Sequence, residues 1–100
     1  MAKGYWIAHV DVTNPEGYKE YVALNAKAFE KYGARFLVRG GQFTAKSGKL
    51  RARHVVLEFK DYATALACYH SAEYQAAKAL RDGRGIADAI IIEGYDGPQP

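Results

Sequence analysis

Gly4-Tyr5-Trp6-Ile7-Ala8-His9-Val10-Asp11-Val12, followed at once by Thr13-Asn14-Pro15-Glu16, is the stretch that decides the fold. The first nine residues are rich in aromatic and β-branched side chains, and Thr13-Asn14-Pro15 closes a strand with turn chemistry. Asn14 caps a helix opening at Pro15, because proline at the first helical position gives up no needed donor and Glu16 suits the positive end of the helix dipole. Tyr18, Tyr21, Val22, Ala28, Phe29 and Tyr32 then recur at helical spacing, while Lys19, Glu20, Lys27, Glu30 and Lys31 fall largely off that stripe. Gly33 suits a left-handed cap. A strand thus feeds straight into an amphipathic helix.

The pattern then repeats with one difference. A second strand runs from about Ala34 to Arg39, Gly40-Gly41 bends the chain, and Lys46-Ser47-Gly48-Lys49 reads as a loop before a third strand from His54 to Phe59. Asp61 caps a helix carrying Tyr62, Leu66 and Tyr69. Ser71 offers a fresh cap for a shorter helix carrying Tyr74, Ala77 and Leu80, so the helix breaks near His70. Gly83 and Gly85 mark a loop, and Ile86 to Glu93 reads as a fourth strand. This order predicts an α+β fold, a ferredoxin-like β-α-β-β-α-β unit with a four-stranded antiparallel sheet and the helices on one face. Right-handed crossovers are expected to leave strands one and three central and parallel. Residues 1–94 are expected to form a single domain and 95–100 a turn-rich tail.

Composition narrows the function classes. Of 100 residues, 49% are hydrophobic and 25% charged, enough for a packed core, and the net charge of +3 is too small to imply nucleic acid by itself. Cys68 is the sole cysteine, so no intrachain disulfide forms and the thiol is expected to be a small buried hydrophobe. No apolar run reaches the roughly 18 residues of a membrane span, and Met1 to Val12 is too polar for a secretory signal. The expected compartment is the cytoplasm, with no membrane partner. The sequence carries no nucleophilic triad, phosphate loop or nucleotide fingerprint, and no cofactor or metal is assigned.

Alternation splits each strand into two sets. Trp6, Ala8, Val10, Val12, Phe36, Val38, Val55, Leu57, Phe59, Ile90 and Ile92 form one, wholly apolar, as a helix-covered face requires. The other holds Tyr5, Ile7, Leu37, Val56 and Ile91 together with His9, Asp11, Arg35, Arg39, His54, Glu58 and Glu93. Apolar residues grouped on a helix-free face mark an interface or a ligand site, so a homodimer pairing two sheets is expected. Glu58 and Glu93 on that face speak against a nucleic-acid partner.

Tyr32-Gly33, Arg35-Phe36-Leu37-Val38-Arg39-Gly40-Gly41, Val55-Val56-Leu57-Glu58-Phe59, Tyr69-His70-Ser71-Ala72-Glu73-Tyr74-Gln75 and Ile92-Glu93-Gly94 together resemble the bacterial domain of unknown function 1330, over nearly the whole chain. The resemblance implies a dimeric α+β barrel, a superfamily of cofactor-free monooxygenases, isomerases, dehalogenating enzymes and haem-handling proteins. It implies no single activity.

His9, Arg39 and Glu58 share the mixed set, so an imidazole, a guanidinium and a carboxylate are expected to meet in the dimer interior. There Arg39 would bind an anion, and His9 or Glu58 would move a proton as the catalytic groups. Tyr69, Ser71 and Tyr74 are candidate ligand-binding residues at a pocket mouth. Lys46, Lys49, Arg51 and Arg53 read as a solvated basic loop and strand entry. Two readings stand side by side. One is an enzyme or binder of a small anionic or aromatic molecule in the barrel cavity. The other is a non-catalytic dimeric module whose polar cluster is structural.

Overall fold

The computed structural model describes residues 2–100. Met1, counted in the domain from the sequence, lies outside the described residues. The elements run β1 (Gly4–Val12), α1 (Pro15–Lys31), β2 (Arg35–Arg39), β3 (Arg53–Phe59), α2 (Tyr62–His70), α3 (Ala72–Arg81) and β4 (Gly85–Glu93).

Local chemistry sets the helix ends. Asn14 accepts from the Gly17 amide at 3.1 Å, Asp61 from Thr64 at 2.7 Å, and Ser71 from Tyr74 at 3.1 Å. Each satisfies an amide that the helix leaves unpaired. Ser71 also separates α2 from α3: its backbone is extended, and its hydroxyl donates to the Cys68 carbonyl at 2.6 Å. Gly33 closes α1 with φ +68°, a conformation that favours glycine.

The sheet order is β2-β3-β1-β4, and every neighbouring pair is antiparallel. Strands one and three are central, but the expectation that they run parallel is corrected. The crossover through α1 gives β2 the direction of β1, and the 40–52 connection then reverses the chain, so β3 enters between them antiparallel to both. Among the described residues no helix is long and apolar enough to cross a membrane.

Two registers also differ from the alternation read along the sequence. In β4, Ile91 pairs with Trp6, Ala89 with Ala8 and Ala87 with Val10, so Ile91 joins the helix-covered face. Ile90 and Ile92 sit opposite Ile7 and Tyr5 on the outer face, 53% and 46% exposed. Three consecutive isoleucines carry no alternation, so pairing with β1 decides which one turns inward. In β2 the register shifts between Phe36 and Val38. Phe36 pairs with Leu57, whereas Val38 pairs with Val56 and Arg39 with Val55. One extra residue exchanges the faces of everything after it. Val38 therefore lies on the outer face and Arg39 on the helix side.

The core gathers around Trp6. Its ring meets Phe29, Phe59 and Tyr69 edge-on at 5.3, 5.8 and 5.7 Å, and Tyr74 at 4.7 Å. Aromatic rings favour such offset and edge contacts. The start of β1 runs against the start of α2 so closely that a Cβ on Gly4 would strike the Asp61 carbonyl. Cys68 is fully buried, and burial pushes its thiol up to about 12, which leaves it inert.

Candidate functional site

Small residues on the sheet leave a cavity beneath the helices. Ala8, Ala87 and Ala89 occupy adjacent positions on β1 and β4, and the space above them is part of a pocket of about 210 Å³ between sheet, α1 and α3. One part of its wall is the aromatic core of Trp6, Phe29, Phe36, Tyr69 and Tyr74. Arg39, Arg53 and Arg81 contribute its charge, and no carboxylate lines it. Among the described residues none of these three arginines has an ion-pair partner.

Each guanidinium is held by different means. Arg39 lies over the Phe36 ring at 4.2 Å. Arg53 extends against Gly40, where a Cβ would stand 2.6 Å from its Nη1 and where φ is +65°. Glycine there serves both the bend and the close approach. Arg81, in the last turn of α3, donates to the Tyr74 hydroxyl at 3.3 Å and lies 5.5 Å from the Tyr21 ring. The Tyr21 and Tyr74 hydroxyls are 2.8 Å apart. Burial first, and Tyr21 next, push the Tyr74 hydroxyl well above the ordinary phenol range. Tyr18 is likewise pushed up by burial and by Tyr21, while Arg53 and Arg81 pull it back. Both guanidiniums therefore act on the same hydroxyl.

The outer face is arranged differently. His9 sits opposite His54 on one side and Asp88 on the other. The two imidazole Nδ1 atoms are 2.7 Å apart, so one must donate. His54 Nε2 is enclosed without a partner. An enclosed N–H left unpaired costs more than an enclosed lone pair, which puts the His54 proton on Nδ1 and makes His9 the acceptor. Phe43 covers the His54 ring edge-on at 4.4 Å. Arg51 clamps Asp88 at 2.8 Å and Asp11 at 3.0 Å. The Ala52 amide, followed by Arg51, holds the Asp11 carboxyl below the usual carboxylate range. Glu58 pairs across the sheet with Tyr5 and lies 3.9 Å from Lys3.

The expected convergence of His9, Arg39 and Glu58 is thus corrected. The bulge in β2 carries Arg39 to the opposite face, and Glu58 lies four residues along β3 from His9's partner His54, roughly 13 Å at the usual strand rise. Tyr69 and Tyr74 line the helix-side cavity; Ser71 does not, and its hydroxyl is occupied as a cap. Arg53, read from the sequence as a solvated strand entry, is a cavity residue. Arg81 and Asn25, which also line the cavity, are not among the residues the sequence pattern marks. Asn25 left a signal, as a polar side chain at the Tyr21 plus four position on the apolar stripe of α1.

Solved structures with the same architecture come from several bacteria. A Rhodopseudomonas palustris protein of unknown function matches with a TM-score of 0.71 at 14% identity, covering 99% of this chain and 85% of that one. SnoaB of Streptomyces nogalater, a cofactor-independent oxygenase, matches at 0.62 and 10% identity, covering 100% and 97%. A dimeric ferredoxin-like protein of unknown function from Thermobifida fusca matches at 0.56 and 14% identity, covering 91% and 92%. At these identities the likeness is one of fold. No curated protein matches the chain. The family model of the domain of unknown function DUF1330 matches residues 3–95, nearly the whole chain, and the protein belongs to that family.

Proposed function

We propose that the protein binds a small aromatic anion in the cavity between its sheet and helices, as a homodimer joined through the outer face of the sheet. The observation that carries the ligand reading is the set of three arginines, Arg39, Arg53 and Arg81, at an aromatic cavity without a carboxylate among them. Arg53 and Arg81 are partly withdrawn from water while Arg39 is exposed, and none of the three has a carboxylate partner, so a carboxylate or phenolate would supply the missing charge with matching geometry. Tyr69, Tyr74 and Trp6 give a flat ring apolar walls. The dimer reading rests on Ile7, Val56, Ile90 and Ile92, an apolar group on a helix-free face that a second sheet would cover. His9 and Glu58 lie on that face and take no part in ligand binding on this reading.

Ligand-detected NMR against a library of small aromatic acids, followed by calorimetry, tests the site. The wild type is expected to bind such acids, and Arg53→Ala to lose about tenfold or more in affinity while melting as a folded protein. No binder, or equal binding by a folded Arg53→Ala variant, would return the arginines to a structural role.

A further inference from the structure

Asn25 is the polar residue in the buried stripe of α1, whose other members are Tyr21, Ala28 and Phe29. It is 7% exposed and lines the cavity. Among the described residues nothing hydrogen-bonds its side chain. Its neighbours are otherwise provided for: the Tyr21 and Tyr74 hydroxyls bond each other at 2.8 Å, and Arg81 donates to Tyr74. Its amide atoms are not sealed in the protein either, since His54 Nε2, on the other face of the sheet, is the sole enclosed and unpartnered side-chain atom among the described residues. Nothing in the fold asks for asparagine here. Leucine forms helix more readily and would fill the same stripe with no polar group to satisfy. A buried amide has two donor and two acceptor positions, and native proteins seldom leave them empty.

Resting on the ligand reading above, we propose that Asn25 determines specificity, and that the ligand is an aromatic acid bearing a ring hydroxyl whose oxygen and proton the amide pairs. The arginines take the anion, the aromatic walls take the ring, and the amide reads the substituent. A hydroxyl both donates and accepts, as a carboxamide does, and so meets either end of the Asn25 side chain. A site built to hydrogen-bond a hydroxyl rejects the analogue that lacks it, because the buried partner is then left unpaired.

Calorimetry with matched pairs tests this: benzoate against the hydroxybenzoates, and naphthoate against its hydroxy derivatives, on wild type, Asn25→Leu and Asn25→Ser. The wild type is expected to bind at least one hydroxylated acid about tenfold or more tighter than its parent. Asn25→Leu is expected to bind parent and hydroxylated acid alike, and Asn25→Ser to keep part of the preference, with thermal melts confirming that both variants fold. Equal wild-type affinity within every pair, with Arg53→Ala still weakening them all, would overturn the assignment of Asn25 and leave the ligand reading standing; the amide would then be hydrated only. A preference that survives in Asn25→Leu would also overturn it. Failure of every acid to bind would overturn both.

Discussion

The two faces of the one sheet solve opposite problems. On the helix side, Trp6, Leu57 and Phe59 are buried among aromatic rings, and the charges at the cavity, Arg39, Arg53 and Arg81, stand without carboxylates. On the outer side, Ile90 and Ile92 are about half exposed, yet Arg51 is paired with Asp11 and Asp88, Glu58 with Lys3, and His9 with His54. Guanidinium groups without carboxylate partners at an aromatic cavity suit an ionic ligand, whereas paired charge among exposed apolar residues suits contact with another protein surface. On the proposed reading, that difference would separate a small-molecule site from a docking surface, with a single layer of backbone between them.

The largest test of this contrast is Trp6→Ala. Removing a buried ring that touches four others is expected to cost about 3–5 kcal/mol in chemical denaturation, and a loss under about 1 kcal/mol would show that the helix side is not the core. Next comes Ile90→Asp. The residue is 53% exposed in the single chain, so the fold is expected to survive. Sedimentation equilibrium is expected to show the wild type dimeric at micromolar concentration and the variant weakened on the order of 100-fold, as for a residue central to an interface. A wild-type monomer of 11.1 kDa would remove the docking role of the outer face. The smallest effect is expected from His9→Ala and Glu58→Gln, which should leave affinity for aromatic acids within about twofold, since both lie across the sheet from the cavity. A larger loss in either would join the two faces into one site.

The parts legible in the sequence are those fixed by neighbours along the chain. Asn14, Asp61 and Ser71 each cap a helix through an amide three residues away, and Gly33 takes the left-handed turn that glycine permits. Trp6, Leu57 and Phe59 were assigned to the helix side because β1 and β3 alternate cleanly. The site was only partly legible. The sequence pattern points to Tyr69 and Tyr74, which line the cavity; it points to Arg39 but on the opposite face, and gives Arg53 as a solvated charge. Asn25 is hard to read from the sequence because a single polar residue on a helical stripe interrupts the pattern without displacing it.

By itself, then, the sequence determined the order of the elements and their caps, which depend on interactions within a few residues, and the core residues of the cleanly alternating strands β1 and β3. Only the tertiary structure decided which side of the sheet each late residue faces. Ile90, Ile91 and Ile92 are chemically alike, so their orientation is set by pairing of β4 with β1, some eighty residues away in the chain. Arg39 reaches the cavity because β2 shifts register against β3 at Phe36 and Val38. A one-residue slip in a strand has no local signature but exchanges the two faces, and with them the residues that line the cavity and those on the helix-free side.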